Sequence, residues 1–173
     1  MKKYLLATLF ATAFALCGAK LQAQNYIVVD SEKIFKSIES YNTAVKELES
    51  QSKAYQKQID DAFNQLEQEY NAYQSAKASY SATQRQNAER KILNREQEIT
   101  KFQEQVFGDD GTMMKLREEK LKPIQDRVFK IIDEYAASKG LGLVLDIASN
   151  PTVLYYSPAT DKTQEIIKIV NNN

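Results

Sequence analysis

The sequence predicts an α+β protein that is mostly α-helical, in which a long antiparallel helical hairpin projects from a small three-stranded β base with a short C-terminal helix. No glycine or proline occurs between Gly18 and Gly108, which in a polar sequence favours long helices over strands and turns. Apolar residues recur at alternating steps of three and four along two long stretches. Short runs of β-branched and aromatic residues flank these stretches, as expected for strands at the foot of a hairpin.

The first 23 residues have the pattern of a secretory signal peptide. Lys2 and Lys3 form a positive start, and residues 4–19 are uncharged but too few to span a bilayer comfortably. A cut after Ala23 leaves a small residue at the cleavage position. We therefore expect an exported protein whose residues 24–173 form one mature domain.

Two other fates of this segment stay open. Cleavage after Ala19 also leaves a small residue at the cut. Acylation of Cys17 would instead make a lipoprotein, although Leu16 is bulkier than the residue usual before such a cysteine.

Removal of the signal makes the chain slightly acidic. The whole sequence has 23 basic and 23 acidic residues, and the signal takes away only Lys2, Lys3 and Lys20, which leaves a net charge of −3. Nucleic-acid binding depends on concentrated Lys and Arg and is therefore not expected. The single cysteine lies in the signal, so the mature chain has no disulfide and must be stabilised by packing or assembly.

The mature chain begins with a predicted strand and the outgoing helix. Residues 26–29 (YIVV) favour a strand, and Asp30 and Ser31 are good N-cap residues directly after it. A heptad seam then runs through Ile34, Ile38, Tyr41, Val45, Leu48, Tyr55, Ile59, Ala62 and Leu66. Ser52 fills the one gap in this seam. Such an amphipathic helix needs a partner along its length.

The partner is predicted to be the following segment folded back. Ser81 and Gln84 fit a capping box, so we place the tip of the hairpin near residues 76–82 and the whole arm at residues 31–139. The return seam runs through Ala88, Ile92, Ile99, Phe102, Val106, Met113 and Leu116, and then through Ile124, Val128, Ile131 and Tyr135.

The glycine-rich segment Gly108-Asp109-Asp110-Gly111 is a competing position for the turn. Val106 and Met113 are seven residues apart, however, so the heptad phase continues as a single helix requires. A tip near Ser79 also makes the outgoing and return helices of the hairpin similar in length. We therefore predict that the helix continues through a weakened or frayed stretch here, either a tolerated poor sequence or a hinge, and that it bends near Pro123.

The base is predicted to consist of residues 24–30 and 140–173. Gly140 ends the return helix, residues 149–151 form a turn, and Asp161 caps a terminal helix. Strands are predicted at Leu143-Val144-Leu145 and at Val153-Leu154-Tyr155-Tyr156. A core of this size is not secure alone. We therefore expect oligomerisation through the strand residues Ile27, Val28, Val29, Leu143, Val144, Leu145, Val153, Leu154 and Tyr155.

No catalytic or cofactor-binding site can be assembled from the residue types present. The sequence has no histidine, no cysteine after residue 17 and no glycine-rich phosphate loop, so we predict neither an enzyme nor a cofactor or metal site. Asp30 and Asp146 each follow an apolar strand and could form a carboxylate pair for acid–base chemistry. Helix-cap and strand-end roles are the simpler interpretation.

The order of elements resembles the Skp (OmpH) family of periplasmic chaperones over the whole mature chain. The local matches are IVVDSEKIF at residues 27–35 and KPIQDRVFKIIDEYAASKGLGLVLD at residues 122–146. The resemblance implies a periplasmic homotrimer whose strands pool into a β-barrel-like body. It also implies that three helical arms enclose unfolded outer-membrane proteins and hold them without ATP.

Two functional questions follow from the resemblance. The aromatic residues near the tip, Phe63, Tyr70, Tyr73 and Tyr80, are candidates for client contact because their rings offer apolar area, with a polar end in the tyrosines. Well-known family members are strongly basic, whereas this mature chain is acidic, so contact with lipopolysaccharide or a membrane surface stays open. The alternative function is a periplasmic coiled-coil adaptor whose tip docks another envelope protein.

Overall fold

A computed structural model describes residues 25–148 and 152–172 of the chain. The predicted signal peptide and the predicted turn at residues 149–151 lie outside the described residues. The elements within these ranges are β1 (Tyr26–Val29), α1 (Ser31–Lys36), α2 (Glu39–Ala76), α3 (Ala82–Phe107), α4 (Thr112–Lys139), β2 (Leu143–Asp146) and α5 (Thr163–Asn172). In the part of the chain so described, no helix combines the length and the apolar character needed to cross a membrane.

The long helical hairpin is confirmed. Helix α2 is 38 residues long, roughly 57 Å at the usual rise per residue, and packs against both α3 and α4. The chain reverses through a 3₁₀ turn at Lys77–Ser79. The predicted capping box fixes this reversal, because Gln84 N–H donates to Ser81 Oγ at 3.3 Å and Ser81 N–H donates to Gln84 Oε1 at 2.8 Å.

The outgoing helix is divided near its start, which the heptad pattern did not predict. Helices α1 and α2 are separated by Ser37 and Ile38, and the Ser37 hydroxyl donates to Ile34 O at 2.7 Å. Ile38 adopts an extended conformation and is only 3% exposed. The side chain of Ile38 therefore stays buried in the core, although one helix ends before it and a new helix begins after it.

The return helix is interrupted, so the prediction of one continuous helix is wrong. Helix α3 ends at Phe107 and α4 begins at Thr112. A Cβ on Gly108 would lie 2.5 Å from Glu104 O, and one on Gly111 would lie 2.6 Å from Val106 O. The chain can follow this tight path only because both residues lack a side chain. The seven-residue spacing between Val106 and Met113 arises because α3 and α4 both pack against α2 in the same phase. It does not require one continuous helix.

Two ion pairs join α2 to the return helices on either side of this interruption. Lys91 Nζ lies 3.3 Å from Glu69 Oε2, and Lys120 Nζ lies 2.6 Å from Glu47 Oε2. Helix α4 passes through Pro123, which has no N–H to donate to the helical ladder. The bend at Pro123 stays a prediction.

The base contains a two-stranded parallel sheet in which Tyr26 is opposite Leu143 and Val29 is opposite Asp146. The predicted strand β2 and the terminal helix α5 are confirmed. Beneath the sheet lies a core of buried residues from β1, α1, α4 and α5 together with the linker residue Ile38: Ile27, Val29, Ile34, Ile38, Val128, Ile131, Tyr135, Ile166 and Val170.

The predicted third strand at Val153–Tyr156 is wrong for the single chain. The segment forms no strand, and Leu154 and Tyr155 are 94% and 84% exposed. The outer edge of β1 is already used, because Lys162 N–H donates to Val28 O at 3.0 Å. The segment therefore cannot pair with β1, and its strand propensity alone does not make it pair with β2.

Candidate functional site

The aromatic residues near the tip do not form one surface. Tyr73 is 6% exposed, its hydroxyl donates to Glu89 Oε1 at 2.5 Å, and the Lys77 ammonium lies 5.5 Å from its ring centre. The hydrogen bond to the Glu89 carboxylate and desolvation raise the pKa of Tyr73 to about 12. Tyr80 is half-buried, with its ring centre 6.3 Å from that of Tyr73. Tyr73 therefore belongs to the packing of the tip.

The exposed aromatic residues lie farther down α2. Phe63 and Tyr70 are 39% and 47% exposed. They are seven residues apart, so they share one helix face and lie roughly 10 Å from each other along the helix axis. Leu93 on α3, which the seam pattern did not single out, is 56% exposed. The outer half of the arm thus presents separate apolar side chains on a polar surface.

The base exposes a second set of apolar side chains. Leu143 is 52% exposed, and Leu154 and Tyr155 are the most exposed large apolar residues among those described. Within residues 25–148 and 152–172, β1 is the only strand paired with β2, so the other edge of β2 is free. Ile27, Val28 and Val29, which we expected at the oligomer interface, are instead buried inside the single chain. An open strand edge beside exposed apolar residues is a surface that favours association.

The two carboxylates Asp30 and Asp146 act as helix caps. Asp30 Oδ1 accepts from Lys33 N–H at 3.0 Å, and Asp146 accepts from Ser31 N–H at 3.0 Å and from Ser31 Oγ at 2.5 Å. Burial opposes the charged form of both groups, but these hydrogen bonds and the Lys33 charge outweigh it and lower the pKa of Asp30. The bonds from Ser31 and Ala148 likewise lower the pKa of Asp146. The cap interpretation is confirmed.

We expect Asp146→Ala to lower the free energy of unfolding by about 1–2 kcal/mol at pH 7, as for loss of a helix cap. The folded-state pKa lies below the ordinary value of 3.8, so the stabilisation is present above that value and is lost as the pH falls through the folded pKa. Urea unfolding at about pH 7 and about pH 2.5 should therefore show a gap between Asp146→Ala and wild type that closes in acid.

The matched control for this prediction is Asp126→Ala. Asp126 pairs with Lys122 on an exposed helix face and should contribute no more than about 0.5 kcal/mol. An equal loss for both variants, or a gap that persists in acid, would contradict the cap role of Asp146.

An open groove of about 790 Å³ lies at the middle of the arm, beside the interruption between α3 and α4. Phe107 and Met114 in its lining are 39% and 47% exposed. The sequence interpretation missed these two residues. Ser52, the polar residue in the heptad seam of α2, lines the same groove. This polar position in the seam was the feature of the sequence that could have indicated a gap in the packing here.

Comparison with known proteins gives consistent results. The chain matches the family model described as outer membrane protein (OmpH-like) over residues 25–170. It is 26% identical to Chaperone protein Skp of Yersinia enterocolitica, over 98% of this chain and 99% of that protein. It is 25% identical to Chaperone protein Skp of Pectobacterium atrosepticum, again over 98% of this chain and 99% of the relative.

Proposed function

Because this chain belongs to the OmpH-like family, we propose that it is a periplasmic holding chaperone that binds unfolded outer-membrane β-barrel proteins without ATP. The family is one of chaperones, so the prediction that the chain is not an enzyme is confirmed. The predicted export signal at residues 1–23 is part of the proposal, since a periplasmic protein must cross the inner membrane.

The observation that carries this proposal is the arm itself. The outer half of the hairpin, whose helix α2 is 38 residues long, presents separate exposed apolar side chains at Phe63, Tyr70 and Leu93. Isolated apolar contacts of this kind are individually weak and unselective. Many of them, spread along a stiff arm, suit a protein that must hold different unfolded chains and release them.

The assembly we propose is a homotrimer formed through the base. The free edge of β2 and the exposed Leu154 and Tyr155 support it, because a second copy can pair with the edge and cover the side chains. Three arms would then enclose a shared space. Leu143, Val144, Leu145, Val153, Leu154 and Tyr155 are the proposed interface residues.

The direct test of the holding function is light scattering. A urea-unfolded outer-membrane β-barrel protein is diluted into buffer with and without the purified chain. We expect near-complete suppression of turbidity at about one trimer per client. Unchanged turbidity would overturn the holding function and favour the coiled-coil adaptor.

We expect the double substitution Phe63→Ser and Tyr70→Ser to weaken client binding about three- to tenfold. Each ring loses the apolar area that it would bury against a client, at roughly 25 cal/mol per Å². The measurement is fluorescence anisotropy of a labelled unfolded β-barrel protein. The control is Ser50→Ala with Gln58→Ala, two exposed polar residues of the same helix. Equal client affinities of the two double variants would show that Phe63 and Tyr70 do not contact the client.

A further inference from the structure

We propose that the groove at the middle of the arm, here called the mid-arm groove, binds short uncharged apolar segments of an unfolded polypeptide. This inference rests on the proposed holding function and gives it a defined contact site. The residues that carry the argument are Leu48 and Ser52 of α2, Phe107 of α3, and Met113 and Met114 of α4.

The groove exists because the packing between α2 and the return helices is interrupted on both sides at the same height along the arm. On one side, Gly108 and Gly111 interrupt the return helix in a path that no other residue could follow without a backbone clash. On the other side, the seam of α2 carries Ser52 where an apolar residue would otherwise fill the space. The apolar side chains next to this gap are therefore left open to solvent instead of buried in the seam.

The interruption opens a local gap rather than dividing the arm. Helix α2 runs unbroken from Glu39 to Ala76 past the groove, so it supports the arm on both sides. The seam closes again toward the tip, where the rings of Tyr55 and Phe102 are 6.3 Å apart. Toward the base, Lys120 pairs with Glu47 at 2.6 Å. The feature that the glycines create is thus an accessible apolar surface, with contacts between α2 and the return helices on both sides of it.

The lining determines what the groove can accept. Met113 and Met114 have flexible, polarizable side chains that adapt to ligands of different shape. The charged lining residues are Glu49, Lys53, Asp109 and Arg117, two of each sign, so the groove has no net charge with which to select a charged ligand. Burying a charge without a dedicated partner is costly. The preferred ligands are therefore uncharged apolar side chains.

The size of the groove distinguishes a short segment from a second copy of this chain. Its volume of about 790 Å³ lies within the range of roughly 300–1,000 Å³ found for small-ligand pockets. Ten residues line it, whereas a stable protein interface uses roughly 20–30 residues on each side. The groove is too small to hold another folded subunit, but it accommodates a few side chains of an extended polypeptide.

The test compares two groove variants with one control. Ser52→Leu fills the gap with the residue type that the heptad seam favours, and Met114→Lys places a charge in the lining. Gln58→Lys places the same charge at an exposed polar site of α2 outside the groove. The probe is a fluorescein-labelled ten-residue peptide of alternating leucine and serine, and its dissociation constant is measured by anisotropy. Circular dichroism and sedimentation verify that each variant keeps its helices and its mass.

We expect both groove variants to weaken peptide binding at least fivefold, and Gln58→Lys to weaken it less than twofold. Absence of peptide binding to the wild type, or equal affinities for all four proteins, would overturn the groove as a binding site. A change of sedimenting mass in the groove variants without a change in peptide affinity would also overturn it, by identifying a contact between copies. The turbidity measurement on the wild type is independent of these results, so a failure of the holding function is recognised separately.

Discussion

The double substitution Leu154→Asp and Tyr155→Asp is expected to convert the proposed trimer into monomers. The two side chains are 94% and 84% exposed in the single chain, so they contribute almost nothing to its own core. Burial of a large apolar side chain contributes about 1.5–3 kcal/mol, and the loss would be repeated in every subunit. A buried unpaired carboxylate adds a further cost. We expect sedimentation at monomer mass at micromolar concentration, with an unchanged circular dichroism spectrum.

The control for this substitution is Leu93→Asp. It introduces the same charge at a leucine that is 56% exposed on the arm, away from the base. This variant should keep the mass of the wild type. A Leu154→Asp and Tyr155→Asp variant that still sediments as a trimer would place the interface elsewhere, and a monomeric wild type would remove the proposed trimer altogether.

The same double variant links assembly to function. If three arms are needed to enclose a client, the monomeric variant should also lose suppression of turbidity, although its arm is unaltered. Suppression at the wild-type level by a monomer would show that a single arm is sufficient. Contacts between the client and one hairpin, instead of enclosure by three arms, would then explain how aggregation is prevented.

The hairpin could be predicted from sequence because its determinants are local. Heptad spacing and the Ser81–Gln84 capping box depend on residues that are neighbours on one helix or in one turn. The heptad pattern was less informative at Gly108 and Gly111. Apolar periodicity records which face meets α2, and two helices in the same phase satisfy it as well as one.

The third strand illustrates a different limit. Val153–Tyr156 has the composition of a strand, but it pairs with neither strand of the sheet: the edge of β1 is taken by Lys162, and the segment leaves the other edge of β2 unpaired. Composition cannot show whether a segment pairs with an edge of its own chain. Tyr73 shows the same limit for a side chain: its type suggested a binding surface, and only its bond to Glu89 places it in the tip packing.

Replacing Ile34 with alanine is expected to destabilise the base more than the other stability changes considered above. Ile34 is fully buried and lies in the core cluster with Val128 and Ile166, so it joins α1 to the helices α4 and α5. Truncation of a buried isoleucine costs about 2–5 kcal/mol, because apolar contacts are lost and a cavity remains. That is a large part of the roughly 5–15 kcal/mol that stabilises a typical folded protein.

Urea unfolding followed by circular dichroism measures this effect, with Ile34→Val as the control. The valine variant loses a single methylene group and should cost only about 0.5–1.5 kcal/mol. Hydrogen exchange can locate the loss: amides of α1, β1 and α5 should exchange faster, while those near the tip, which is held by the Ser81 capping box and by Tyr73, should change little. Uniform acceleration along the whole arm would instead show that base and hairpin unfold as one cooperative unit. Because a subunit must fold its base before that base can associate, the alanine variant should also assemble less well at low protein concentration.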